Sequence, residues 1–322
     1  MLNTQTGRDL DYAAQLLSAG EVVAIPTETV YGLAANAFSE DAVRKVYAIK
    51  QRPLHNPLIV HIADAAMLEQ LAIHIPAVAR QLIKKFSPGP LTVLLEKRPI
   101  VPSITTSGLP HVAIRIPAHP LTLELLKKLP FPLAAPSANP FGYISPTRPE
   151  HVLKQLGGKI HYILDGGICD KGIESTVVGF QNDQPIVHRL GAVSLEDIRR
   201  IFPDTILKTH EEHAPVAPGM LKHHYSPNTR TVVTESVKNT VAGLKSQRVG
   251  VIAFDKDAGD IQADHLVILS AEGNLEEAAR NLYDAMHELD RMQLDVIVIE
   301  KAPDHGIGRA INDRLARASS RQ

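Results

Sequence analysis

The chain reads as an α/β protein: an open, twisted, mixed sheet in a larger domain, then a linker and a smaller α/β domain. Three observations predict this. Short apolar strands recur between helical segments whose apolar residues repeat every three to four positions, the alternation of an α/β architecture. The strands are short and unevenly spaced, which points to a mixed sheet and not a uniformly wound parallel one. The pattern also stops at 210–229, where prolines and polar residues replace apolar periodicity, and restarts near Thr231. The predicted division is 1–209 as the larger domain, 210–229 as linker and 230–322 as the smaller domain.

Residues 7–20 form an amphipathic helix closing at Gly20, and Glu21–Ile25 form the first strand. That strand runs into Pro26 and then Thr27, Glu28 and Thr29. Two hydroxyls and a carboxylate thus stand at a strand end, where open α/β sheets hold ligands. Ser39 caps the next helix, Glu40 and Asp41 fill its first turn, and Val43, Val46, Tyr47 and Ile49 supply its apolar face. It ends at Lys50-Gln51-Arg52-Pro53, because proline cannot continue it. Lys50 and Arg52 have two readings. They complement a helix C-terminus, or they form an anion-binding corner in which arginine forks onto phosphate or carboxylate.

A strand at Leu58–Ile62 precedes helical segments at Asp64–His74 and Pro76–Phe86 and strands at Leu91–Leu95 and Val112–Ile116. Arg115 lies inside the last of these, between Ile114 and Ile116. Such a placement is costly unless a partner neutralises the charge, so Arg115 is either at an exposed edge or part of a binding site. After a helix at His119–Leu129, prolines at 130, 132, 136, 140, 146 and 149 make a rigid, non-helical run. It presents Ser137, Asn139 and Ser145, either as ordinary turn residues or as a dense polar set beside a strand end. Strands at Tyr162–Leu164, 172–180 and Ile186–Arg189 follow, with Ser175 and Thr176 heading the second. A helix capped by Ser194 with Asp197 closes the domain. Beyond the linker, strands near 231–233, 248–254, 265–269 and 294–300 alternate with helices to Lys245, at Asn274–Met292 and at Ile307–Ala318, a Rossmann-like βα order.

The 322 residues are 44% hydrophobic and 21% charged, ordinary for a globular protein. A net charge of −1 provides no global field for nucleic acid, so any basic site is local. Tryptophan is absent and aromatics are 4%, which argues against a stacking groove for single strands. The single cysteine, Cys169, excludes an internal disulfide framework and fits a reducing cytosol. The polar N-terminus carries no signal peptide and no apolar run is long enough to cross a membrane, so a cytoplasmic location is expected. His210 and His213 are three apart, not four as in HExxH, and no cysteine joins them, so no metal site is expected. Walker-type phosphate loops and nucleophile elbows are missing, so nucleotide chemistry here would rest on positioned charges and hydrogen bonds.

Several motifs in one order and spacing carry a family resemblance: IPTETVYGLA, KQRP..NPLIVHI, PSAN and ISPT. With them the chain closely resembles the YrdC-like L-threonylcarbamoyladenylate synthases in their long, two-domain form. The resemblance implies a nucleotidyltransferase that turns L-threonine, bicarbonate or CO2 and ATP, with Mg2+, into threonylcarbamoyl-AMP and pyrophosphate. Its product would pass to the downstream threonylcarbamoyl transferase machinery that makes tRNA N6-threonylcarbamoyladenosine. It further implies that Thr29, His61, Arg115 and Ser175 bind threonine, with Arg115 on the carboxylate. Lys50, Arg52, Ser137 and Asn139 would be the catalytic set on the phosphate side. Asn56, His111, Ala135, Ser145, Arg189 and Tyr225 would join Arg52 and Ser137 around ATP, with Tyr225 folding back from the linker. His111 stands where the family has a smaller polar residue. Two rivals differ in class: an RNA-binding module with weak tRNA contact, betrayed by salt-dependent binding without ATP turnover, and an amino-acid or nucleotide sensor that binds without releasing pyrophosphate.

Overall fold

The structure, a computed structural model, describes residues 2–208, 224–244, 246–258 and 261–321. It divides into two compact units. The first comprises Met1–Phe141, Pro146–Cys169 and Glu174–Met220; the second comprises Gly142–Ser145, Asp170–Ile173 and Leu221–Gln322. The expected division by sequence position differs in one respect, since two short segments from within 1–209 group with the second unit. Most of the expected linker, and with it the histidines at 210 and 213, lies outside the described residues.

The first unit contains β1 (Gln5–Gly7), β2 (Val23–Ile25), β3 (Gly32–Asn36), β4 (Ile59–His61), β5 (Leu91–Glu96) and β6 (His111–Arg115). It continues with β7 (Leu133–Ala134), β8 (Tyr162–Leu164), β9 (Thr176–Gln181), β10 (Gln184–Arg189) and β11 (Ile206–Leu207). These form one eleven-stranded sheet in the order β1-β8-β2-β3-β7-β4-β6-β5-β9-β10-β11. Parallel pairs such as β4 with β6 alternate with antiparallel pairs such as β5 with β6, so the sheet is mixed, as expected. The helices Leu10–Ser18 and Pro120–Lys128 cover part of one face, where Leu17, Leu125 and Leu126 pack on Val23, Ile25 and Leu133. Each such buried side chain contributes about 1.5–3 kcal/mol.

Four strands lie outside the sequence expectation: β1, β3, β7 and β11. β1 is a three-residue edge strand beside β8, and β3 has the composition GLAAN. Glycine and alanine are poor strand formers; β3 exists because β2 and β7 hydrogen-bond it from both sides. Conversely, the strand expected over 172–180 begins only at Thr176, where its pairing with Leu91 of β5 begins.

The second unit holds β12 (Arg230–Thr234), β13 (Val249–Ala253), β14 (His265–Ile268) and β15 (Val296–Glu300). They form an all-parallel sheet ordered β12-β15-β13-β14, consistent with the Rossmann-like expectation. Its long helix, Leu275–Leu289, is capped by Asn274, whose side chain accepts from the Glu277 amide, and buries Ala279, Leu282, Met286 and Leu289. Among the described residues no helix is long and apolar enough to cross a membrane.

Candidate active site

The cationic corner begins with a helix ending. Gln51 adopts the left-handed conformation (φ 53°), and the Arg52 amide bonds back to the Tyr47 carbonyl at 2.9 Å. This αL closure turns the chain sharply, at some local cost for a residue other than glycine. It sends Lys50 and Arg52 to different partners. Lys50, 1% exposed, donates to the carbonyls of Ser137 and Asn139. Burial, with the nearby Arg52 charge, holds its amine well below the ordinary lysine value. The guanidinium of Arg52 donates to the Asn56 carbonyl (3.0 Å), the Asn56 side-chain oxygen (2.6 Å) and the Pro57 carbonyl (2.8 Å).

The proline-rich run fixes the acceptors that Lys50 meets. The Ala135 amide bonds to Ile59 O (2.9 Å), Leu33 N to Pro136 O (2.7 Å), Ala138 N to Tyr31 O (2.8 Å) and Phe141 N to Lys50 O (2.8 Å). Gly32 and Ser137 face each other in an isolated bridge. Pro136 has no N–H to give, and only its carbonyl is used. Lys50 is thus brought to Ser137 and Asn139, and Arg52 to Asn56, with the Arg52 charge near enough to act on the Lys50 amine.

A second polar set lies on the central strands. Strand register pairs His61 with Arg115 and Arg115 with Thr92. Alternation puts these side chains on the face that also carries Ile59, Leu94, Ala113 and Val177, a small apolar cluster. Arg115 is 5% exposed, not at an exposed edge. Its Nη2 lies 2.7 Å from Glu28 Oε1, and its Nε reaches the Gly89 carbonyl at 3.4 Å. Burial, reinforced by the Arg115 charge, lowers the pKa of His61 to about 3, so the imidazole is neutral. Ser175 Oγ lies 2.7 Å from Thr92 Oγ1 and accepts from Arg189 Nη2 at 3.0 Å, while Arg189 also clasps the Ser175 carbonyl. Thr29 is fully buried with its hydroxyl 2.8 Å from that of Thr27.

Three further residues are expected at the nucleotide site. His111 is exposed at the start of β6, four residues and about 13 Å along the strand from Arg115. Ser145 and Tyr225 belong to the second unit. There the Tyr225 ring stacks on Tyr283 (centroids 5.7 Å apart) beneath the Arg314 guanidinium (5.2 Å), and the Ser145 carbonyl meets His287 Nε2 at 3.1 Å. Ala135 lies beside Ile59, as its backbone bond requires. No group of three or more His, Cys, Asp or Glu able to hold a metal occurs among the described residues.

Two family models match the chain. Residues 15–191 match the one described as telomere recombination (Sua5/YciO/YrdC), and 193–320 match the threonylcarbamoyl-AMP synthase C-terminal domain. The threonylcarbamoyl-AMP synthase of Bacillus subtilis is 42% identical over 318 residues, covering 95% of this chain and 92% of the relative. That of Pyrococcus abyssi is 40% identical over 321 residues, covering 95% and 93%. The chain belongs to the threonylcarbamoyl-AMP synthase family. The crystal structure of P. abyssi Sua5 complexed with L-threonine superposes with a TM-score of 0.92 at 38% identity, covering 99% of this chain and 97% of that one. Escherichia coli YciO, at 23% identity and a TM-score of 0.52 over 59% of this chain and 96% of its own, shares the fold of the first unit's sheet.

Three residues that sequence reasoning left unassigned touch these polar sets. Thr92 looked like a buried strand residue, and only the β5–β9 pairing brings it to Ser175. Tyr47 served as part of an apolar helix face, yet its hydroxyl donates to the Asn56 carbonyl at 3.0 Å, a bond no periodicity signals. Glu28 was visible as a carboxylate at a strand end; its partner, Arg115, is distant in sequence.

Proposed function

We propose that the chain makes L-threonylcarbamoyl-AMP from L-threonine, bicarbonate or CO2 and ATP, releasing pyrophosphate, in the cytoplasm. The observation that carries the reading is the pairing, in one unit, of a buried arginine among hydroxyls with a buried Lys–Arg corner. Arg115 takes the threonine carboxylate, while Thr29, neutral His61 and Ser175 surround the rest of the amino acid. A neutral imidazole suits this place, since a second cation beside Arg115 would be repelled. Threonine's amine combines with CO2 to give a carbamate and a proton. One carbamate oxygen attacks the α-phosphorus of ATP in line, forming the P–O bond as the bond to pyrophosphate breaks.

Two anions meet in that step, so fixed cations lower its barrier by acting where charge develops. Lys50 and Arg52 serve there, with Ser137 and Asn139 on the phosphate side and Asn56, Ala135 and Arg189 toward the nucleotide. Mg2+ would come bound to the triphosphate and would offset part of its charge. The product is a mixed anhydride, an activated acyl donor, and supplies the threonylcarbamoyl transferase that modifies tRNA adenosine. Pyrophosphate release measured with each substrate omitted in turn tests the reading. It should need both L-threonine and bicarbonate, and release indifferent to threonine would sink it.

A further inference from the structure

The Glu28–Arg115 pair departs from an ordinary buried salt bridge. Both side chains are sequestered, 6% and 4% exposed, and approach to 2.7 Å through one oxygen and one nitrogen. A structural arginine–carboxylate pair is commonly bidentate. Here the second carboxylate oxygen, Oε2, turns instead to the Ala118 amide at 3.0 Å. The close atoms themselves are misaligned, so neither Glu28 Oε1 nor Arg115 Nη2 has a hydrogen-bond partner. Buried groups with unspent hydrogen-bonding capacity are rare and costly, and at a site they mark where a ligand completes the shell.

The chemistry left open is that of a zwitterion. An α-amino acid presents a carboxylate and an ammonium on adjacent atoms, and this pair presents a guanidinium donor beside a carboxylate acceptor. We propose that Glu28 is a specificity-determining residue that receives the α-ammonium of the incoming amino acid while Arg115 receives its carboxylate. The proposal rests on the threonine reading given above. The Ala118 amide fixes the glutamate from behind, leaving Oε1 for the substrate. Glu28 thereby selects amino acids over hydroxy acids of the same shape, which an arginine alone would bind equally.

Calorimetric titration of the full chain, without ATP, tests this with two ligands: L-threonine and (R)-3-hydroxybutanoate, the same acid lacking the amine. Glu28→Gln should weaken L-threonine by ~tenfold or more, the scale of one charge-assisted hydrogen bond. It should leave 3-hydroxybutanoate bound no more weakly than by the wild type. Equal losses for both ligands would overturn the proposal and leave Glu28 as a prop for Arg115; no loss for either would overturn it too. A wild type that binds the hydroxy acid but not L-threonine would sink the threonine reading itself, a distinguishable outcome. Should circular dichroism show Glu28→Gln unfolded, Glu28→Asp keeps the charge but shortens the reach, and the same two titrations decide.

Discussion

His61 and Arg115 occupy paired positions on β4 and β6, and the guanidinium adds to burial in lowering the imidazole pKa from 6.5 to about 3. The consequence for stability has a definite sign. Between pH 6.5 and about 3 the unfolded histidine binds a proton that the folded one refuses. The folded state therefore loses stability as pH falls through that window, by about 1.4 kcal/mol per unit. Replacing His61 with Gln removes the dependence. Urea unfolding at pH 7 and pH 5 should show the wild type losing about 2 kcal/mol more than His61→Gln. Parallel losses in the two proteins would place the imidazole's titration elsewhere.

Gly191 has no room for a side chain. An added Cβ would lie 2.4 Å from the Glu174 carbonyl oxygen and equally close to backbone atoms of Ser175 and Thr176. Those atoms carry the Ser175 hydroxyl that Arg189 and Thr92 hold. Gly191→Ala should cost about 1–3 kcal/mol by overpacking and weaken L-threonine binding in the same protein. Urea denaturation and a threonine titration together check it; a stable variant with unchanged affinity would mean the loop shifts without moving Ser175.

Much of this arrangement is legible along the chain, and the remainder fails for identifiable reasons. Lys50, Arg52, Ser137 and Asn139 are visible because helix termination and proline stiffness are local properties of the sequence, and those same features build the corner. Arg115 is visible because a guanidinium inside an apolar strand needs an explanation. The identity of its partner is not visible, since 87 positions separate Glu28 from Arg115 and only the fold joins them (115 − 28 = 87). β3 escapes for a related reason, its GLAAN segment being a strand by virtue of its two neighbours. The boundary of the second unit shares this difficulty: Gly142–Ser145 and Asp170–Ile173 carry no compositional mark of the group they join.

Arg52 depends on its fork. Three bonds tie the guanidinium to Asn56 and Pro57, and they hold the segment that leads into β4. A lysine keeps the charge but cannot donate in that planar pattern. Arg52→Lys should therefore raise the KM for ATP by about tenfold and lower stability by about 1–2 kcal/mol. Steady-state pyrophosphate release against ATP concentration, alongside urea unfolding, reads both. Normal kinetics would remove Arg52 from the phosphate side.

Arg115 and Glu28 make a stability prediction independent of any substrate. Removing one member of a buried ion pair leaves the other charge uncompensated, which typically costs about 3–5 kcal/mol. Arg115→Met keeps the apolar volume between Ile114 and Ile116 but strands the Glu28 carboxylate, whose remaining bond is the Ala118 amide. Converting that carboxylate as well, in Glu28→Gln/Arg115→Met, removes the buried charge and keeps an acceptor for the amide. The double variant should be more stable than Arg115→Met alone, by about 1–3 kcal/mol, despite carrying one more substitution. Urea midpoints for the wild type, both single variants and the double close the cycle. If the double variant proves weaker than Arg115→Met, the carboxylate is stabilised by its surroundings without the guanidinium, and the two residues do not depend on each other as the 2.7 Å contact implies.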